Sequence, residues 1–220
     1  MSGGHGQPAA IELAILAKAP VAGFAKTRLI PHLGREGAAA LQRWLLRRAV
    51  RVAVRADLGP VSLWCAPDTG HPDFQRCLAS GELRLLSQPQ GDLGVRMQAA
   101  AAASRTPAGM LIIGTDCPVL TPVLIRRVAR ALGQHDAVVV PAEDGGYVLI
   151  ALRRADPRLF ADIDWSTDRV MEQTRERLRA LGLRWHEPAA LWDVDRPEDF
   201  ERLAALSPAV RAAVAPAERT

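Results

Sequence analysis

Acidic residues recur where strands would stop. Leu111-Ile112-Ile113 is a short apolar run, and Gly114-Thr115-Asp116-Cys117-Pro118 follows it directly. The glycine frees the backbone, the aspartate supplies a carboxylate and the proline closes the turn. A buried strand ending in a carboxylate is where an open α/β sheet places its ligand chemistry. Further on, Leu191-Trp192-Asp193-Val194-Asp195 alternates apolar and acidic residues, so an extended segment would turn Asp193 and Asp195 to one face. Carboxylates sharing a face repel one another unless a cation lies between them. The alternatives are a divalent metal and a solvated edge.

Cations gather in an early loop. Lys18, Lys26 and Arg28 fall within Lys18-Ala19-Pro20-Val21-Ala22-Gly23-Phe24-Ala25-Lys26-Thr27-Arg28. Backbone N–H groups and basic side chains of such a loop can hold phosphate oxygens. It is not a Walker A loop, because Ala25 and Pro20 stand where that motif needs glycine. The plainer alternative is a basic surface loop. Gly91-Asp92-Leu93-Gly94, with Arg96 and Met97, precedes an Ala-rich stretch. Asp92 is either a helix N-cap or part of a loop over a nucleotide base or sugar. Glu143-Asp144-Gly145-Gly146-Tyr147 reads as a hairpin turn. Its glycines would also let backbone approach a bulky ligand, with the acids on hydroxyl groups.

The elements that must carry these residues follow from periodicity. Apolar runs place strands at Ile11 to Ala17, Val61 to Ala66, Leu83 to Leu86, Met110 to Ile113, Asp136 to Pro141, Val148 to Leu152 and Leu183 to His186. Arg35 to Ala56 reads as a long helix with Leu41, Leu45, Ala49, Val52 and Ala56 on one side. Shorter helices are expected over Asp73 to Ala79, Leu93 to Ser104, Thr121-Pro122 to Leu132, and Asp168 to Leu181, with Ser166 as N-cap and Gly182 as the stop. A last helix opens at Arg196-Pro197-Glu198-Asp199 and runs to Leu206. Alternating strands and helices predict an α/β fold with a mainly parallel sheet. Met1 to Ala10 is read as a flexible N-terminus, 11–206 as one domain and Ser207 to Thr220 as a loose tail.

The 220 residues carry a net charge of +4 and are 49% hydrophobic, enough for one large core. The pI of about 9.5 owes much to Arg43, Arg47, Arg48, Arg51 and Arg55 on a helical face. Aromatics total 5% and do not interleave with the basic residues, which argues against a nucleic-acid partner. Cys65, Cys77 and Cys117 lack CxxC spacing, which suggests reduced thiols in a cytoplasmic protein. Met1 to Ala10 lacks the pattern of a signal peptide, and no run of apolar residues would span a membrane. His5, His32, His71, His135 and His186 show no ligand-like spacing and are assigned to surface or packing. The tryptophans are expected mostly in the core, with Trp165 able to edge a pocket. No pattern sets an oligomeric state.

Taken together, Ile11 to Leu206 resembles the bacterial GT-A-type glycosyltransferase-like proteins often labelled arsenosugar-biosynthesis-associated glycosyltransferases. The marks are Lys18-Ala19-Pro20 with Gly23, Lys26, Thr27 and Arg28; Gly91 to Gly94 with Arg96; Gly114 to Pro118; Asp144 to Tyr147; Trp165-Ser166-Thr167; and Asp193 to Asp195 with Pro197-Glu198-Asp199. The resemblance implies a single-domain, three-layer α/β/α nucleotide-diphospho-sugar transferase fold, a bound nucleotide, and Mg²⁺ or Mn²⁺. It implies phosphates on Lys18, Lys26 and Arg28, a nucleotide beside Ala19, Pro20, Gly23, Thr27, Gly91, Asp92, Gly94, Arg96 and Thr115, and metal at Asp116, Asp193 and Asp195. Asp116, Lys26 and Asp144 would be catalytic. Asp144, Gly145, Gly146, Tyr147, Trp165, Ser166 and Thr167 would face the acceptor or sugar. Many GT-A enzymes end the central strand with Asp-x-Asp. Here Pro118 takes the third position, so a metal would depend on the distant aspartates. Arg196 stands where members of the family carry threonine.

The expected activity is transfer of a sugar from a nucleoside diphosphate sugar to a small-molecule acceptor, with metal and basic side chains stabilising the leaving group. The alternative is nucleotidylyl transfer, joining a nucleoside triphosphate to a phosphorylated small molecule with release of pyrophosphate. The loop Lys18 to Arg28 is similar to the first loop of the phospholactate guanylyltransferases. A third reading is a nucleotide-binding protein without catalysis.

Overall fold

A computed structural model describes residues 10–215. The proposed flexible N-terminus, His5 included, lies outside them up to residue 9, as do the last five residues of the expected tail.

The chain opens with strand β1 (Glu12–Lys18), followed by helix α1 (Ile30–Ala56). Gly34 breaks the helical backbone at φ 71°, so the regular helix begins at Arg35, where the periodicity places it. Then come β2 (Val61–Ala66), α2 (Pro72–Cys77), β3 (Leu83–Ser87) and α3 (Leu93–Ala103). They are followed by β4 (Met110–Ile113), α4 (Pro122–Leu132), β5 (Ala137–Pro141) and β6 (Tyr147–Leu152). The last elements are α5 (Val170–Ala180), the two-residue strand β7 (Trp185–His186), α6 (Pro197–Leu206) and α7 (Ala209–Val214).

The seven strands form one sheet in the order β3-β2-β1-β4-β6-β5-β7. All neighbours are parallel except β6, which runs antiparallel to both β4 and β5. The order reverses between β1 and β4, and an open sheet binds ligands at such a switch point, outside the carboxyl ends of its strands. Because β6 runs backwards, its first residue, Tyr147, meets the same rim as the ends of β1 and β4.

Strand periodicity sorts the core into two layers. Leu13, Ile15, Leu111, Ile113, Val138 and Val140 pack with residues of α1 and α4 on one face. Ala14, Met110, Ile112, Ala137, Val139 and Ile150 pack with α3 and α5 on the other. Such double burial explains why these strands read as unbroken apolar runs. A third cluster joins Leu41 and Leu45 of α1 to Trp192, Val194, Phe200, Leu203 and Val210. It anchors the Asp193 segment to the domain.

Three expectations change. Ser166 is not an N-cap: it sits in a turn at φ 69°, and α5 begins four residues later. Thr167 shapes that turn, its Oγ1 donating to the Asp164 carbonyl and accepting from Arg169 N–H. Leu183–His186 shortens to the two residues of β7, because Gly182 (φ 64°) ends α5 with paired bonds from Gly182 N–H to Arg179 and Leu183 N–H to Leu178. Ser207 to Ala215 is not loose. Most of it forms α7, whose Val210 is fully buried and whose Val214 carbonyl lies against Gly37 of α1. Val210→Ala should therefore cost about 1–3 kcal/mol in urea denaturation, whereas a loose tail would show no change.

Candidate active site

Two clusters share the rim of the sheet. The first is a cleft of about 520 Å³ over the ends of β1, β2 and β3. Lys18 and Ala19 line it from β1, Ala66 and Pro67 from β2, and Gln88 to Gln90 from the chain beyond β3. Phe24, 68% exposed, flanks it, and Arg96 of α3 lies in its wall. Arg96 Nε is buried without a hydrogen-bond partner among the described residues. A buried donor without a partner is costly, a cost that an acceptor on a ligand would offset. Gln88 is already committed, donating through Nε2 to the carbonyls of Ala17 and Trp64, and so ties the ends of β1 and β2 together.

The second cluster is acidic. Asp116 follows β4, Asp144 precedes β6, and Asp193 lies in the segment that bridges Leu191 to Ala142 beside β5. Val194 N–H donates to the Asp116 carbonyl at 2.9 Å, so the last segment is stitched to the first. Trp192 and Val194 are buried, leaving Asp193 and Asp195 on the opposite, half-exposed side. Burial, then the nearby charges of Asp144 and Asp116, push the Asp193 carboxyl up to about 6 despite the opposing pull of Lys26. Asp193 has no ion-pair partner among the described residues.

Lys26 sits between the clusters. Its side chain is 5% exposed, and its ammonium donates to Asp116 Oδ1 at 2.9 Å and to the Val194 carbonyl at 2.6 Å. It reaches there from a left-handed backbone conformation (φ 47°, ψ 47°), unusual for a residue with a side chain. Arg28 pairs with Asp195. Two of the three cations expected to hold phosphates are thus engaged with acids, while Lys18 faces the cleft. Thr27 is exposed beside Arg28, and Pro20 is buried under the loop. Gly23 takes φ 83°, a turn that favours glycine.

Gln42 of α1 was not picked out by sequence. It is buried, and its Nε2 donates to the Lys18 carbonyl and to Thr115 Oγ1, each at 3.2 Å. Thr115 Oγ1 in turn donates to Asp116 Oδ1 at 2.9 Å. One amide therefore holds the ends of β1 and β4 together across the switch point. Its only sequence signal is an amide within an apolar helical stripe. Burial pushes the Cys117 thiol up to about 11, which favours its neutral form.

The remaining motif residues meet behind the rim. Asp92 caps α3, accepting from Val95 N–H at 2.9 Å, and Gly91 precedes it at φ 130°. Gly94 is buried against Trp165: a Cβ there would lie 2.6 Å from Trp165 Nε1. Gly145 (φ 91°) lies so close to Asp168 that a Cβ would strike its carbonyl. The Gly145 carbonyl accepts from Met171 N–H, and Gly146 N–H donates to Asp144 Oδ1 at 2.9 Å. Tyr147 meets Trp165 edge-on at 6.4 Å and donates its hydroxyl to Met97 Sδ at 3.5 Å. Burial raises that phenol well above its usual range. Gly94 of α3 and Tyr147 of β6 thus pack on Trp165, and Gly145 packs on Asp168 three residues further, while Ser166 and Thr167 stay exposed. Arg196, in the place of threonine, holds the N-cap position of α6, where a hydroxyl would accept from the helix. Asp199 Oδ2 compensates, accepting from Arg196 N–H at 2.8 Å.

Among the described residues no three His, Cys, Asp or Glu side chains are arranged to hold a metal, and no helix is long and apolar enough to cross a membrane. Mg²⁺ sites commonly draw one or two carboxylates from the protein and the remaining oxygens from water and phosphates. The hard, like-charged donors of Asp116 and Asp193 fit that pattern. Asp195, turned onto Arg28, does not extend it.

Fold and rim together define a protein with the architecture of nucleotide-sugar and nucleotidyl transferases. The chain belongs to the family described as uncharacterized proteins conserved in bacteria, DUF2064, whose model matches residues 49–167. A candidate nucleotide-diphospho-sugar transferase from Desulfovibrio desulfuricans G20 superposes with a TM-score of 0.79 and 26% identity, covering 92% of this chain and 96% of that one. Rv0371c from Mycobacterium tuberculosis H37Rv, solved in complex with manganese, gives 0.55 and 18% over 89% of this chain and 98% of that one. A nucleotidyl transferase from Methanothermobacter thermautotrophicus gives 0.59 and 14% over 89% and 97%. No curated protein matches the sequence.

Two outcomes follow from this geometry. Gln42→Leu strips a buried donor from two acceptors and should lower stability by about 1–3 kcal/mol in urea denaturation. A free aspartate ionises near about 3.9, whereas Asp193 ionises at about 6. Between those values the folded chain keeps a proton that the unfolded chain loses, so stability falls as pH rises through that window and is level above it. In chelator-treated buffer, the melting-temperature gain of Asp193→Asn over wild type should grow as pH rises from about 4 to about 6. A gain that is flat with pH would refute the assignment.

Proposed function

We propose that this chain transfers a sugar from a nucleoside diphosphate sugar to a small-molecule acceptor. The observation that carries the proposal is the gathering of Asp116, Asp144 and unpaired Asp193 beside a cleft that offers Lys18 and the free Nε of Arg96. Cations in the cleft suit a diphosphate, and carboxylates beyond it suit the sugar end. The 26% identical neighbour supports the same reading. Lys26 and Arg28 are already neutralised by acids, which weighs against the more highly charged triphosphate of a nucleotidylyl transferase.

In this reading Lys18 and Arg96 bind the donor phosphates, and Phe24 covers the cleft. Lys26 holds Asp116 in place, while Asp144 faces the sugar or acceptor. Mg²⁺ or Mn²⁺ at Asp116 and Asp193 would offset the charge that develops on the departing diphosphate. The segment Trp165 to Thr167 borders the acceptor side.

Nucleotidylyl transfer remains the second reading, because Lys18 and Arg96 would serve a triphosphate as well. Thermal shift against nucleoside triphosphates and nucleoside diphosphate sugars, each with and without Mg²⁺, separates the two, since a ligand of the folded state raises the midpoint. A metal-dependent shift with one diphosphate sugar is expected, with loss of that shift in Asp116→Ala and Lys18→Ala. A shift with a triphosphate alone would replace the proposal with the second reading.

A further inference from the structure

A second cleft, of about 370 Å³, opens on α1 away from the acidic cluster. Arg43, Trp44, Arg47, Arg48 and Arg51 line it together with Ala213 of α7. Spacings of four stack Arg43, Arg47 and Arg51 in one row along the helix, with Trp44 and Arg48 in the next. Among the described residues the acid that pairs with this group is Asp73, buried beneath it. Asp73 accepts from Arg43 Nε at 2.8 Å, from Arg47 at 3.3 Å and from Arg76 of α2 at 3.1 Å. One carboxylate thus answers three guanidinium groups. Arg48 donates instead to the carbonyls of Pro118 and Leu120. Among the described residues neither Arg48 nor Arg51 has an ion-pair partner.

Like charges held this close repel unless something neutralises them. Arg43 and Arg47 are braced by Asp73 below, and Arg48 by the carbonyls after Asp116, so for these three little ordering is left for a ligand to impose. Guanidinium forks match phosphate oxygens in geometry and shed water more readily than ammonium groups. Trp44 adds an aromatic face beside the charges, as sites for organic ligands commonly have.

We propose that this cleft is a second ligand site, specific for the phosphate group of a small molecule and separate from the rim of the sheet. Arg48 sets it directly behind Pro118 to Leu120, the segment that leaves Asp116. The proposal does not depend on which group the rim transfers.

Calorimetric titration of the full chain with inorganic phosphate and with pyrophosphate, in metal-free buffer at physiological ionic strength, tests it. Saturable binding is expected, weakened about tenfold or more in Arg51→Glu and by less in Arg51→Ala. Arg51 has no hydrogen-bond or ion-pair partner among the described residues, so both variants should keep the wild-type circular dichroism spectrum. Lys18→Ala separates the clefts, because a titration that it weakens and the Arg51 variants leave intact belongs to the rim. That result, or the absence of saturable binding with both anions, overturns the proposal.

Discussion

The rim depends on one buried ammonium. Lys26 reaches inward from the first loop and joins a carboxylate after β4 to a carbonyl near the end of the chain. Taking a lysine out of water is costly unless its charge is paired and its hydrogens are accepted. Both conditions are met only when three stretches of chain, far apart in sequence, come together. The ion pair is weak evidence for extra stability, since a desolvated pair gains little over apolar packing. What it supplies is register: Asp116, Val194 and the loop after β1 can meet in one way. The left-handed backbone at Lys26 is the local cost of that reach.

Buried acids elsewhere in the fold are answered by donors and cations. Glu12, buried in β1, accepts from Ser62 and Arg84. Asp73 is surrounded by arginines. Asp193 instead lies beside Asp144 and Asp116, and its raised proton affinity comes first from burial and then from those charges. An enzyme site differs from a scaffold in this respect: the scaffold closes its own electrostatics, whereas the site leaves a deficit for a ligand to fill.

Much of the architecture was legible because the inner strands β1, β2, β4, β5 and β6 are buried on both faces and the long helices on one. Apolar runs and helical stripes therefore located nearly every element within a residue or two. The misses have local causes. Gly182 ends α5 with a capping motif that consumes the start of the next strand. Thr167 outcompetes Ser166 by closing a turn of its own. In the site, residue types told less than partners did. Sequence offered Lys26 and Arg28 as phosphate ligands, because no periodicity reveals that Asp116 and Asp195 stand opposite them. That Gly94 and Tyr147 also pack on Trp165 could not be read from sequence, because a glycine needed for packing and one needed for a ligand look alike until the neighbour is known. Gln42 was invisible for the opposite reason, being a single amide on a helix whose pattern is satisfied without it.

The brevity of β7 also bears on how the chain behaves among its copies. A long outer strand presents unpaired backbone groups on which a second molecule can build. Here the far edge of the sheet is two residues wide. Glu187 follows, held by Arg175 and by the indole of Trp185, and then Pro188, which has no N–H to offer. The sheet therefore ends on that side in a stub too short to template much pairing with a second copy.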